Sequence, residues 1–188
     1  MDILRHDVVS DDTEALILVD NEDNEIGSLD KTACHDGTGV LHRAFSVFIF
    51  NEDGELLMQK RAADKRLWPD FWSNSCCSHP RLGEDIDVAI HRRCEQELGL
   101  CTHLEYAYKF EYSAEFGELG TEHELCSVYV GTFVGELNVN TAEVSAIKWL
   151  SIKAVDQELY ANTDQYTPWF KLEWARLRAD FAHLLPRG

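Results

Sequence analysis

The sequence predicts an α/β (α+β) fold, a mixed β-sheet flanked by few helices, and three observations carry that expectation. Short runs rich in apolar and β-branched residues recur along the chain, each bounded by turn residues. One stretch, 84–98, has helical rather than strand periodicity and ends on a glycine. A hydrophobic fraction of 45% in 188 residues, without repeats or a Pro/Gly/Ser-rich linker, suits one packed unit. The expected organisation is a single domain over 1–188, with its core at about 14–170.

EALILVD (14–20) reads as a strand that runs into the turn-prone NEDNEIG, and a polar, glycine-containing stretch, KTACHDGTG (31–39), follows. HRAFSVFIF (42–50) reads as a buried strand, NEDG (51–54) as a tight turn and ELLMQKR (55–61) as the hairpin partner. Residues 62–83 form a long connection carrying Trp68, Trp72, Asn74, Cys76, Cys77 and His79. Loops of that length inside compact units are usually functional. In the helix at 84–98, Ile86, Ala89, Ile90, Cys94 and Leu98 share one stripe, acidic residues occupy the first turn and Gly99 supplies the stop. Further strands are expected at 104–112, 124–134 and 144–150, and a C-terminal helix at about 166–185.

Charge and thiols narrow the function classes. With 34 acidic and 17 basic residues, the formal charge of −17 repels nucleic acid and anionic membranes at long range. An anionic ligand would therefore need a local basic pocket or a divalent cation. No apolar run is long enough to span a bilayer, and the acidic start MDILRHDVVSDDTEA lacks the basic and apolar regions of a signal peptide. The expected setting is the cytoplasm, with the six cysteines reduced and mostly acting as small core residues. Whether the chain works as a monomer or a homodimer is left open by the sequence.

Three short pieces carry candidate metal ligands: His35 with His42, the tripeptide Cys77-Ser78-His79, and Glu122-His123-Glu124. In an extended segment, residues two apart face the same way, so Glu122 and Glu124 can meet one ion. Three imidazoles and two carboxylates suit Mn²⁺, Mg²⁺ or Zn²⁺. His6, His91, His103, His123 and His183 read instead as surface or core residues. Taken singly, each pair is also compatible with ordinary solvated charge.

Aligned on Gly99-Leu100, the helix resembles a degraded Nudix signature: Glu84, Arg92, Glu97 and Gly99 match, while Ser78, Arg93 and Gln96 stand where glycine and two glutamates are expected. Hydrolases with that signature use several helix glutamates to hold divalent ions and activate water. Two of those carboxylates are lost here.

Taken together, the pieces resemble the Nudix-fold type I isopentenyl-diphosphate isomerases. The carriers are Ser73-Asn74-Ser75-Cys76-Cys77-Ser78-His79-Pro80, the element Lys31-Thr32-Ala33-Cys34-His35, and Leu41-His42-Arg43-Ala44-Phe45-Ser46. R-R-C-x-x-E-L-G (92–99), E-x-E-x-C (122–126) and Thr167-Pro168-Trp169 follow in the same order. The resemblance implies metal ligation by His35, His42, His79, Glu122 and Glu124, and catalytic roles for Cys77 and Glu124, with Tyr112 nearby and Trp169 lining the pocket. It implies that Lys31, Arg61, Lys65 and Arg93 face the diphosphate, and that Glu97 accompanies a Mg²⁺ bound with the substrate. The expected partner is a small-molecule diphosphate, not nucleic acid or membrane, and the expected role lies in isoprenoid precursor biosynthesis.

The implied reaction adds a proton to an unactivated alkene at C4 and removes one from C2, through an intermediate resembling a tertiary carbocation. It needs an acid, a base and no water to trap the cation. A thiol with an ordinary pKa of about 8.5 is mostly protonated at neutral pH and can exchange protons. An indole face such as that of Trp169 stabilises a cation by roughly 1–2 kcal/mol when desolvated, and it is not nucleophilic. Glu124 with Tyr112 is the expected proton donor and Cys77 the acceptor. A Nudix pyrophosphohydrolase and a non-catalytic metal- or diphosphate-binding module are the alternatives left by the residues.

Overall fold

The computed structural model describes residues 6–11 and 13–186; part of the acidic N-terminal stretch and the last two residues of the expected 1–188 unit lie outside them. Nine strands form one mixed sheet: β1 (Ala15–Val19), β2 (Glu25–Asp30), β3 (His42–Phe50), β4 (Glu55–Arg61), β5 (Trp72–Ser73), β6 (Cys76–Ser78), β7 (Leu104–Glu115), β8 (Thr121–Thr132) and β9 (Val144–Ser151). Four helices accompany them: α1 (Lys31–His35), α2 (Ile86–Leu98), α3 (Ile152–Ala161) and α4 (Pro168–Asp180). Among the described residues, no helix is long and apolar enough to cross a membrane.

Strand β3 explains the architecture. Its residues alternate between two cores: Phe45, Val47 and Ile49 pack with α2 residues Ala89, Ile90, Cys94 and Leu98. Ala44, Phe48 and Phe50 pack with Phe170, Trp174 and Leu177 of α4. A strand covered on both faces has no polar side to show, which is why 42–50 reads as a nearly continuous apolar run. The mixed sheet with helices over both faces is the expected fold class.

The expected β3–β4 hairpin is a correction in part. The two strands meet through the turn but share a single pair, Phe50↔Leu56. Beyond it β3 runs parallel to β8, from His42↔Glu124 to Phe50↔Thr132, and β4 pairs with β9. The β3 edges are thus taken by β8, β6 and β1, and the strands diverge.

Five elements went unread in the sequence: β5 and β6, two and three residues long, lie inside the expected connection 62–83, and β2, α1 and α3 were also missed. β2 is exposed along almost its whole length, so no apolar period marks it; β1 pairs with it from Ala15↔Asp30 to Leu18↔Gly27. α1 is only five residues long, too short to persist alone, and is capped by Asp30, which accepts from the Ala33 N–H at 2.9 Å. α3 follows β9 directly, with Ser151 as its cap. The expected C-terminal helix is shorter than 166–185: α4 starts after Thr167, whose side chain makes no capping bond, Pro168 occupies its first turn, and a 3₁₀ turn at Ala182–Leu184 follows.

Helix α2 begins at Ile86, capped by Asp85, and stops at Gly99, whose left-handed φ of 68° and N–H bonds to Cys94 and Glu95 close the helix. Its inner stripe carries two charged residues among the apolar ones, Arg93 and Glu97, both buried.

Candidate active site

Strand register assembles the centre. His42, Glu124 and Tyr112 are direct neighbours across β3, β8 and β7, so their side chains share one face of the sheet. Glu122 lies two residues from Glu124 on that face. β6 lies antiparallel to β3, with Cys77 opposite Ser46, and places His79 just beyond its end. α1 brings in His35 at a forced close approach: a Cβ on Gly120 would collide with the His35 carbonyl oxygen.

One ligand atom from each of His35, His42, His79, Glu122 and Glu124 lies within 4.8 Å of all the others. His35 and His42 each place Nδ1 2.7 Å from a backbone carbonyl, of Lys31 and Val40 respectively. A carbonyl only accepts, so both Nδ1 atoms donate and both Nε2 atoms turn lone pairs inward. That is the arrangement of metal-ligating histidines. His42 Nε2 sits 3.1 Å from His79 Nε2, which is 3.0 Å from Glu124 Oε1. His35 Nε2 and Glu122 Oε2 are 2.7 Å apart and buried, yet neither has a well-directed hydrogen bond. The donor set fits a divalent cation, and these five residues could hold one.

The protonation pattern follows from crowding. Burial, then the His79 charge, holds His42 down to about 4, and burial, then the His35 charge, holds His79 down to about 3. Burial also opposes charge on His35, but the Glu122 carboxylate prevails and raises it. Glu122 is held well below the usual carboxylate range, against its burial, chiefly by His35. Glu124, buried and repelled by Glu122, is pushed up to about 7. Its two oxygens face different groups: Oε1 turns to the histidines, while Oε2 accepts from the Tyr112 hydroxyl at 2.7 Å.

A recess of about 70 Å³ opens beside this cluster, and Cys77, Tyr112, Glu124 and Trp169 are among its lining residues. Burial pushes the Cys77 thiol up to about 12 in spite of nearby Arg61. Trp169 is buried and donates from Nε1 to Ser73 Oγ at 3.0 Å, with the Arg61 guanidinium 5.3 Å from its ring centre. Lys31, Arg61, Lys65 and Arg93 line it too, and all but Arg93 also line a larger cavity of about 760 Å³. The Lys31 ammonium is held below its ordinary value by burial and by the Lys65 charge. Despite a formal charge of −17, the chain thus concentrates cations at one opening.

Glu97 lies in the same recess, ion-paired with Arg93 one turn away. Glu84, the other matching glutamate of the helix, is tied to Arg92 at 2.7 Å and 2.8 Å and does not line the recess.

Several residues at the recess escaped the sequence reading. Glu143, ahead of β9, pairs with Lys65 and approaches Arg93 at 3.4 Å. Ser10 donates to Glu143 from both its backbone N–H, at 3.1 Å, and its hydroxyl, at 3.0 Å. Gln59 of β4 lines the floor. Away from the recess, Glu173, one turn beyond Trp169 on α4, is fully buried and accepts from the Cys126 thiol at 3.6 Å. No local motif marks these residues. Of the six free cysteines, Cys34, Cys76, Cys94 and Cys126 are buried, Cys77 is half-buried and Cys101 is exposed.

Residues 40–170 match the Nudix domain family. The chain is 45% identical over 164 residues to isopentenyl-diphosphate Delta-isomerase 1 of Photorhabdus laumondii, covering 86% of this chain and 93% of that one. It is 42% identical over 178 residues to the isopentenyl-diphosphate Delta-isomerase of Serratia proteamaculans, covering 88% and 98%. Among solved structures, the fold resembles protein DR0079 from Deinococcus radiodurans, with a TM-score of 0.69 at 21% identity over 85% of this chain and 96% of that one. The chain belongs to the Nudix family and, within it, to the isopentenyl-diphosphate Delta-isomerases.

Proposed function

We propose that this chain is a Nudix-type isomerase domain that converts isopentenyl diphosphate to dimethylallyl diphosphate, supplying isoprenoid precursors, with Cys77 and Glu124 as its proton-transfer pair. The observation that carries the reading is their shared recess, which a thiol, a carboxyl and an indole line together with four cations. A diphosphate seated among Lys31, Arg61, Lys65 and Arg93 directs its short alkenyl tail towards Cys77, Glu124 and Trp169.

His35, His42, His79, Glu122 and Glu124 would hold Mn²⁺, Mg²⁺ or Zn²⁺, and Glu97 a Mg²⁺ accompanying the diphosphate; such ions supply fixed positive charge that neutralises phosphate and sets the acidity of nearby carboxyls. Glu124, with Tyr112 bonded to its Oε2, gives the proton to C4. The Cys77 sulfur takes one from C2 as the thiolate, the form that the nearby Arg61 charge favours against burial, and the Trp169 face stabilises the cationic stage between the two. Burial of the recess walls excludes the water that would capture the cation.

The test uses metal-loaded protein with isopentenyl diphosphate in D₂O, followed by NMR, with Cys77→Ala alongside. Metal-dependent, deuterium-labelled dimethylallyl diphosphate that disappears in the variant is the expected result. Absence of both product and exchange from folded, metal-loaded protein sinks the reading. Phosphate release from nucleoside diphosphates would instead support a pyrophosphohydrolase.

A further inference from the structure

Ser73, Asn74 and Thr167 stand in the segments that carry Cys77 and Trp169, yet none of them lines the recess, and all three are completely buried. Their hydrogen bonds have a direction that the backbone dictates. Asn74 Nδ2 lies 2.8 Å from the Cys76 carbonyl oxygen and 3.3 Å from that of Val47. A carbonyl only accepts, so the amide nitrogen donates to both and Asn74 Oδ1 is left facing Ser73. Oδ1 only accepts as well, so the single Ser73 hydroxyl proton is given to it, at 2.8 Å. The Ser73 oxygen then accepts its two remaining bonds, from the Trp169 Nε1–H at 3.0 Å and from the Thr167 hydroxyl at 2.9 Å. That fills the capacity of the hydroxyl.

Thr167 gives up an ordinary role to take part. A threonine just before a helix usually accepts from an N–H of the first turn, but Thr167 makes no such bond to α4. What the cluster fixes is the indole. An aromatic ring is negative on its face and positive at its edge, and the N–H belongs to that positive edge. The Ser73 bond holds the Trp169 N–H on a residue outside the recess, while the ring itself lines the recess, with Trp68 packed against it in a T-shape at 5.2 Å. Through Asn74, the same chain of bonds ends on the carbonyl of Cys76, one residue before Cys77.

We propose that Ser73 is a positioning residue: it pins the Trp169 N–H away from the recess, so that the negative ring face, and not the positive edge, meets a cationic centre in the tail of a bound diphosphate. The inference rests on the role of Trp169 proposed above, and its test is read without turnover.

Two probes are titrated calorimetrically, with Mg²⁺, into metal-loaded wild type, Ser73→Ala and Ser73→Cys. One is inorganic pyrophosphate. The other is 2-(dimethylamino)ethyl diphosphate, whose protonated nitrogen places a positive charge where the cationic carbon would form. In Ser73→Ala the ammonium probe should bind about tenfold more weakly, the size of a lost cation–π contact, while pyrophosphate stays within about twofold. Ser73→Cys keeps a side chain of similar shape but a poor acceptor, so the same selective loss is expected even if the alanine variant folds poorly. A ratio of the two Kd values unchanged within about twofold in either folded variant, whether both probes weaken together or neither does, overturns the proposal. A ratio that depends on Ser73 in a protein without isomerase activity would keep this inference and remove the reading of the reaction.

Discussion

At the scale of single residues, the site works by placing groups where their ordinary protonation is unfavourable. Tyr112 holds one oxygen of Glu124 at 2.7 Å while the other faces the histidines. Tyr112→Phe should therefore lower kcat by about ten- to a thousandfold with KM changed only a few fold, because the proposed proton donor Glu124 is left unoriented. Steady-state kinetics at several substrate concentrations checks the split. Glu173 illustrates the same crowding away from the recess: burial pushes its carboxyl up to about 8 from an ordinary 4.5. An acid with a raised folded-state pKa binds its proton more tightly when folded, so its stabilising effect is complete below about pH 4.5 and fades as pH rises towards 8. Urea melts between pH 5 and 8 should show stability falling by up to about 1.4 kcal/mol per pH unit from this group. Glu173→Gln should flatten that slope. An unchanged slope would mean the carboxyl is ionised in the folded protein.

At the scale of elements, the centre depends on how closely backbones approach. Gly120, at the start of β8, lies against the carbonyl of His35 in α1 and has a φ of 152°. Gly120→Ala would push α1 away from β8 and so separate His35 from Glu122. A loss of about 1–3 kcal/mol is expected, together with weaker cation binding, read by urea unfolding and Mn²⁺ calorimetry. Retention of wild-type metal affinity would show that α1 can relax without moving its histidine. The same dependence explains what was legible. β3, β4, α2, β7, β8 and β9 carry apolar periodicity of their own and were visible as patterns. β2, β5, β6, α1 and α3 were not, since an exposed edge strand, strands of two and three residues, a five-residue helix and a helix starting directly at a strand end exist by virtue of their neighbours and caps.

At the scale of the whole molecule, the five candidate ligands from α1, β3, the end of β6 and β8 close only when the sheet is formed, so binding of a cation there would be linked to folding. Mn²⁺ at a hundredfold excess over its Kd should stabilise the protein by about 2.7 kcal/mol, and chelation should remove that increment. His42→Ala should abolish the metal-dependent part while leaving the metal-free melt within a few degrees of wild type. Calorimetric melts with and without chelator decide it; a metal response that survives in His42→Ala would place the ion elsewhere.

What the sequence by itself determined is the type of each chemical group and the periods that make most strands and α2. Cys77, His79, Glu122 and Glu124 stand in short segments whose spacing already marks them, and the ordered motifs around them identify the family. Only the tertiary structure decided which groups meet. The parallel register of β3 with β8 sets His42 beside Glu124, eighty-two positions apart in the chain. The recess floor drew in Gln59, Glu143 and Ser10, which no local pattern distinguishes from ordinary strand and loop residues. The physical reason is that periodicity records which face of an element is buried. Register and approach across the sheet are set by packing between distant segments, and that information is spread over the whole chain.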